Sequence, residues 1–213
     1  MRRRNATRPG ARRGNLFIIC APSGAGKTSL VRALMEREPG VRLSISHTTR
    51  ARRPGEEDGR HYHFITRPQF EQMVERGEFL ECAQVHGNMY GTSQGWIREQ
   101  RSRGADIVLE IDWQGAQQVR RLIPDAVGIF ILPPSPGTLR QRLTDRRQDS
   151  PEVIERRLQA ARGEIAHVDE FDYVIINGEF SEAVEDLVAI VRSARLRLDR
   201  QAERHRDLIN SLK

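Results

Sequence analysis

Five short runs of aliphatic and β-branched residues punctuate the chain, at 16–21, 41–46, 107–112, 127–132 and 173–177. Each is too short for a stable helix and is flanked by polar residues or turn formers, so each predicts a buried strand. Between them, apolar positions recur at helical spacing over 27–38, 68–76, 94–103, 114–122, 137–147 and 151–168. Strand and helix in alternation predict an α/β fold, a central parallel sheet flanked by helices. Residues 47–90 break that rhythm. They are rich in Arg, Gly, Pro, His and Tyr and predict loops and short strands standing off the main sheet, a candidate substrate lobe. A second break, 144–150, reads as a charged turn between two helices. From residue 181 onward, Val184, Leu187, Val191, Ala194 and Leu198 step by three, four, three and four residues, which draws one apolar seam on a helix. That seam either packs on the body or joins two copies in a homodimer.

At 213 residues the chain suits one cooperative body with embedded lobes. Its longest apolar run has six residues, far below the roughly 18 that a membrane span requires, so no membrane role is expected. The net charge of +6 is misleading as an average, because Arg2, Arg3, Arg4, Arg8, Arg12 and Arg13 all fall in the first fifteen residues, where there is no acid. The rest is close to neutral, which removes the usual reason to expect a nucleic-acid-binding face. Residues 1–14 predict a disordered basic tail with nothing apolar to anchor it. The apolar run behind it is too short for a secretory signal, and the tail lacks the apolar face of a mitochondrial presequence. Cys20 and Cys82 have no metal-ligand spacing and predict two buried, reduced thiols in a cytoplasmic protein.

The chemistry begins at Ala21-Pro22-Ser23-Gly24-Ala25-Gly26-Lys27-Thr28, which matches the phosphate-loop pattern except that alanine stands at the first glycine. A strand precedes it and a helix follows, so its backbone N–H groups and the helix dipole face a common anion site. Lys27 would reach the β- and γ-phosphates, and the Thr28 hydroxyl would meet Mg²⁺. The chain has only two lysines, Lys27 and Lys213, and uses arginine elsewhere, so the compact ammonium at this loop stands out. A carboxylate at the end of a neighbouring strand should complete the metal site, and residues 107–112 carry two, Glu110 and Asp112, predicted on one face. Each could equally cap a helix or face solvent. Residues 46–55 gather three arginines and three hydroxyls after a strand. Arg50 and Arg53 could grip a second phosphate through their guanidinium forks, or form a solvated basic turn. Tyr62 and Tyr90 lie in the same lobe. His61 and His63 flank Tyr62 without a third ligand, which favours packing over a metal site.

These residues resemble one family. Residues 21–28, 46–55, Gly59-Arg60-His61-Tyr62, Gly87-Asn88-Met89-Tyr90-Gly91-Thr92 and Glu110-Ile111-Asp112-Trp113-Gln114-Gly115 look like bacterial guanylate kinase, in the right order, from about residue 15 to the end. The resemblance implies a P-loop kinase fold with an inserted GMP-binding lobe (46–92), a helical lid (141–157) and a core of 15–45, 93–140 and 158–213. It implies transfer of the γ-phosphoryl group of ATP to GMP with Mg²⁺. ATP would sit on Ala21, Pro22, Ser23, Gly24, Ala25, Gly26, Lys27, Thr28 and Ser29, with Asn177 at the adenine. Arg50, Arg53, Tyr62 and Tyr90 would hold the GMP phosphate, while Ser46, Glu81, Thr92 and Asp112 would surround guanine. Lys27 and the lid arginines Arg142, Arg146 and Arg157 would stabilise the transferring group, and Glu110 would assist Thr28 at Mg²⁺ through a water. Guanine offers a ring N–H and an exocyclic amine, which carboxylates accept, whereas adenine reverses that polarity. Met89 replaces a frequent tyrosine, Glu110 a frequent aspartate, and Asp145 and Arg147 frequent glycines. Non-catalytic scaffolds of this fold lose the loop lysine or the acceptor grip; this chain keeps both.

Overall fold

The computed structural model describes residues 13–85, 87–145 and 150–213. Five strands, β1 (Leu16–Cys20), β2 (Val41–Leu43), β7 (Asp106–Glu110), β8 (Val127–Leu132) and β9 (Tyr173–Ile176), form one parallel sheet in the order β2-β7-β1-β8-β9. Helices α1 (Lys27–Arg37), α3 (Gln94–Ser102), α4 (Trp113–Leu122), α5 (Pro136–Asp145), α6 (Pro151–Ile165) and α7 (Phe180–Leu196) provide the crossovers and cover the faces. Side chains of β1 alternate between two cores, as a strand buried on both sides requires. Phe17 and Ile19 join Leu30, Leu34, Leu187 and Val191 under α1 and α7. Leu16, Ile18 and Cys20 join Ile97, Val119 and Phe130 on the other face.

The irregular lobe forms its own sheet. Strands β3 (His47–Thr48), β4 (His63–Phe64), β5 (Phe79–Val85) and β6 (Asn88–Ser93) lie in the order β4-β3-β6-β5, with β5 and β6 antiparallel and helix α2 (Arg67–Glu75) alongside. Thr66 opens α2 with a reciprocal capping box through Gln69, followed by Pro68 in the first turn. Contacts between α4 and β5 join this sheet to the main one.

Several boundaries differ from the sequence reading. The strand at 41–46 stops at Leu43, and that at 107–112 stops at Glu110, because Asp112 turns to cap α4 and accepts the Gly115 N–H at 2.9 Å. Glu110 and Asp112 therefore do not share a strand face. The apolar seam ends with α7 at Leu196. Leu198 begins a separate short helix, α8 (Leu198–Arg204), is 80% exposed, and is no part of the buried seam; α9 (Arg206–Ser211) follows. Gly14, read with the tail, is buried, and its N–H and carbonyl bond to Arg101. Residues 1–12, to which the rest of the tail reading applies, lie outside the described residues. Cys20 is buried but Cys82 only partly so. No helix among the described residues is long and apolar enough to cross a membrane.

One ion network pins α7 to the sheet. The Arg195 guanidinium donates to Asp106 at 2.6 Å and to Glu38, Arg192 donates to Glu38 at 2.7 Å, and Asn15 donates twice to Asp106. Glu38 and Asp106 are 6% and 1% exposed. Burial alone would raise the pKa of Glu38, but the hydrogen bonds from Arg195 and Arg192 outweigh it and hold the acid below its ordinary value. A depressed folded-state pKa adds stability above the unfolded carboxylate range and loses it as pH falls through the folded value. Arg195→Met removes the cation shared by two buried carboxylates, leaving Glu38 with Arg192 and Asp106 with the neutral Asn15, and should cost about 3 kcal/mol in urea unfolding near neutral pH, with the deficit shrinking on acidification. A deficit that does not change with pH contradicts this account.

Candidate active site

β1 delivers the chain into residues 21–26, and α1 begins at Lys27. Gly24 and Gly26 adopt φ of 95° and 94°, left-handed conformations that disfavour a side chain. A Cβ on Gly26 would also lie 2.4 Å from the Asn177 amide nitrogen. The start of α1 has neither a side-chain cap nor an acid in its first turn among the described residues. Its first N–H donors and positive dipole end thus remain available to an external anion.

Lys27 Nζ donates to the Ile111 carbonyl at 3.4 Å, and the Cys20 thiol donates to the same oxygen at 3.1 Å. Burial pushes the Cys20 pKa up to about 12 against the opposing effect of Lys27, so it remains a thiol. The Thr28 hydroxyl donates to Glu110 Oε2 at 3.3 Å, while Glu110 Oε1 is buried without a hydrogen-bond partner among the described residues. A hydroxyl beside a carboxylate with an unsatisfied buried oxygen is an all-oxygen donor set that fits Mg²⁺ or one of its waters.

Across a cavity of about 350 Å³ stands the second half of the site. The cavity wall includes residues of the loop, Ser46, Tyr62, Glu81, Tyr90, Glu110, Asp112 and Trp113. Glu81, on β5, is 4% exposed; Thr92, on β6, donates to its Oε1 at 2.5 Å. A Cβ at Gly115 would stand 2.6 Å from Glu81 Oε2, so the start of α4 is closely seated on this acid. Burial lifts the Glu81 pKa to about 7; the Thr92 bond opposes the rise and the Asp112 charge adds to it. Tyr62 and Tyr90 meet edge to face at 5.8 Å, and the Arg50 guanidinium lies 5.4 Å from the Tyr62 ring centre.

Not every residue singled out from sequence reaches the cavity. Arg50 is held beside it by Glu56 at 2.6 Å, whereas the Arg53 side chain is exposed. Thr92 is fully buried behind Glu81. Asn177 faces the loop, its amide donating to the Ala25 carbonyl at 2.7 Å, while its own Oδ1 is buried without a partner among the described residues. Arg142 docks on the same edge, donating to Asn177 O at 3.0 Å and approaching Ala25 O at 3.5 Å. Arg157, partly buried on α6, does not line the cavity. Arg146 and Arg147 lie outside the described residues. His61 accepts the Glu57 N–H and His63 packs on His47, and no cluster of three or more metal-ligating side chains occurs among the described residues.

The sequence reading missed Glu164, which α6 carries into the cavity wall. Nothing in its local sequence signals this, because the contact is made by tertiary packing. Glu56 was also missed, although its charge six residues from Arg50 was a usable cue.

A family model described as guanylate kinase matches residues 13–194. Guanylate kinase of Thiobacillus denitrificans is 58% identical over 96% of this chain and 98% of its own length. That of Methylobacillus flagellatus is 60% identical over 94% and 99%. A crystal structure of guanylate kinase from Anaplasma phagocytophilum superposes with a TM-score of 0.75 at 32% identity, covering 89% of this chain and 90% of that one. The phosphate loop, the acidic cavity opposite it and these likenesses agree, and the chain belongs to the guanylate kinase family.

Proposed function

We propose that this cavity is where the chain transfers the γ-phosphoryl group of ATP to GMP, giving ADP and GDP. The observation that carries the reading is a single cavity walled by two opposite chemistries. One wall is a positive helix start with Lys27; the other is a buried acidic cup with two tyrosines. ATP phosphates take the α1 N–H donors and Lys27, which exchanges its long bond to Ile111 for phosphate oxygen. Guanine enters beside Glu81 and Asp112, with Ser46 near its carbonyl and Thr92 orienting Glu81 from behind. Tyr62, Tyr90, Arg50 and Arg53 receive the GMP phosphate, and Arg53 must swing inward from solvent to do so. Thr28 would hold Mg²⁺, with Glu110 assisting through a water, and the ion would supply charge neutralisation to the transferring phosphoryl group.

Phosphoryl transfer of this kind depends on alignment and positive charge, and no base need be placed at the acceptor. Arg142 already touches the loop, and closure of the lid (141–157) brings Arg157 over the reacting group and excludes water; the same role for Arg146, outside the described residues, rests on the resemblance alone. Asn177 positions the loop through Ala25 and, as the resemblance implies, contacts the adenine of ATP. The lobe at 46–92 moves against a core of 15–45, 93–140 and 158–213. We place this work in the cytoplasm, where both nucleotides are available.

Lys27→Ala should lower kcat by roughly a thousandfold while the circular dichroism spectrum and melting temperature stay near those of the parent. Near-normal GDP production by the folded variant refutes the loop's role. Glu81→Gln turns an acceptor into a donor at the guanine edge and should erase about a hundredfold or more of the preference for GMP over AMP. Equal losses with both nucleotides speak against base reading by Glu81. Since guanine needs the ionised carboxylate and burial lifts its pKa to about 7, the KM for GMP should rise as pH falls below about 7. Glu81→Gln should remove that limb; a KM profile that is the same in both proteins contradicts the assignment.

A further inference from the structure

Helix α6 begins within the lid, yet near its C-terminal end it carries a carboxylate into the nucleotide cavity. Glu164 is partly buried, lines the cavity with Ser23, Gly24 and Lys27, and interacts with the backbone N–H of Ser23. Its charge also faces the Lys27 ammonium and the Asp112 carboxylate. Burial is the main influence that raises its pKa, with Lys27 opposing and Asp112 adding. A negative group so placed is poorly matched to a cavity that must admit a polyphosphate. Coulomb repulsion at a few ångströms in a partly desolvated cleft is substantial. The arrangement does make sense for the nucleotide-free protein. The first turn of α1 carries no acid of its own, and Lys27 donates a long bond of 3.4 Å to the Ile111 carbonyl.

We propose that Glu164 is the resident anion of the phosphate loop. Given the assignment of this cavity to ATP, its carboxylate occupies the Ser23 N–H and balances Lys27 before nucleotide binds. The entering β- and γ-phosphates then displace it. The residue keeps the loop formed between turnovers and sets a ceiling on donor-nucleotide affinity. It is a positioning residue that acts through Lys27 and the loop backbone, and no bond to it changes in the reaction.

The test is calorimetric titration of ADP into the full chain and its Glu164→Gln and Glu164→Ala variants, with steady-state KM values for both substrates. Glutamine retains an acceptor for Ser23 but removes the charge. It should bind ADP roughly five- to tenfold more tightly, with a matching fall in KM for ATP and little change in KM for GMP. Alanine, which also gives up the loop contact, should gain less than glutamine and melt at a lower temperature without nucleotide. Should either folded variant bind ADP with unchanged or weaker affinity, Glu164 does not compete with phosphate and the proposal is overturned. A parallel decline of both KM values refutes it as well, since that marks a general change in the cleft. Lys27→Ala is the control: if it binds ADP as the parent does, the placement of ATP in this cavity fails, independently of what Glu164 does.

Discussion

Parallel pairing of β1 with β7 is the constraint on which the site depends. Ile19 pairs with Glu110, so the two strands end together and the chain leaves both at the same edge of the sheet. From β1 it enters the glycine-rich turn; from β7 it passes through Ile111 to Asp112 and into α4. One carbonyl, that of Ile111, then receives both the Lys27 ammonium and the Cys20 thiol. A register shift of one residue would turn every side chain of a strand to the other face. It would separate Thr28 from Glu110 and empty both cores. The hydrophobic packing that fixes the register therefore also fixes the distance between phosphate cradle and acid.

The second sheet depends on that edge rather than on its own core. Its strands β3 and β4 have only two residues each, and β5 is held against α4 by Gln118, which donates to the Cys82 carbonyl at 2.8 Å and accepts its N–H at 3.2 Å. Glu81 and Asp112, thirty-one positions apart in the chain, become neighbours through this seam. The result is a small acidic enclosure facing a positive loop, with the tyrosine pair and Arg50 at its side. Charges of opposite sign on opposite walls suit a reaction that gathers two anionic nucleotides while reading only one base.

Much of this was legible in the chain. The loop spelled its own geometry, because glycines at 24 and 26 and a lysine opening a helix leave few alternatives. The inner strands β7, β1 and β8 are buried on both faces and were visible as apolar runs, whereas edge strand β2 is interrupted by the exposed Arg42. What failed was local. Asp112 looked like a strand residue because it alternates with Glu110, but an aspartate ahead of a helix gains more by capping than by extending a ladder. Leu198 fitted the α7 period, yet the backbone turns out of the helix at Arg197 and leaves it in solvent. Side-chain direction was the least legible feature. Asn177 faces Ala25 rather than open space, Arg53 points outward, and Glu164 arrives from a helix more than 130 residues after the loop it meets. Such contacts depend on how helices are laid across the sheet, which no local pattern encodes.

The most direct test of the account is a crystal structure of the complete chain with GMP and a non-hydrolysable ATP analogue. The account predicts Lys27 Nζ on phosphate oxygen instead of the Ile111 carbonyl, and Glu81 and Asp112 within hydrogen-bonding distance of the guanine ring N–H and amine. A complex in which Lys27 stays on Ile111, or in which guanine binds away from both carboxylates, would contradict it.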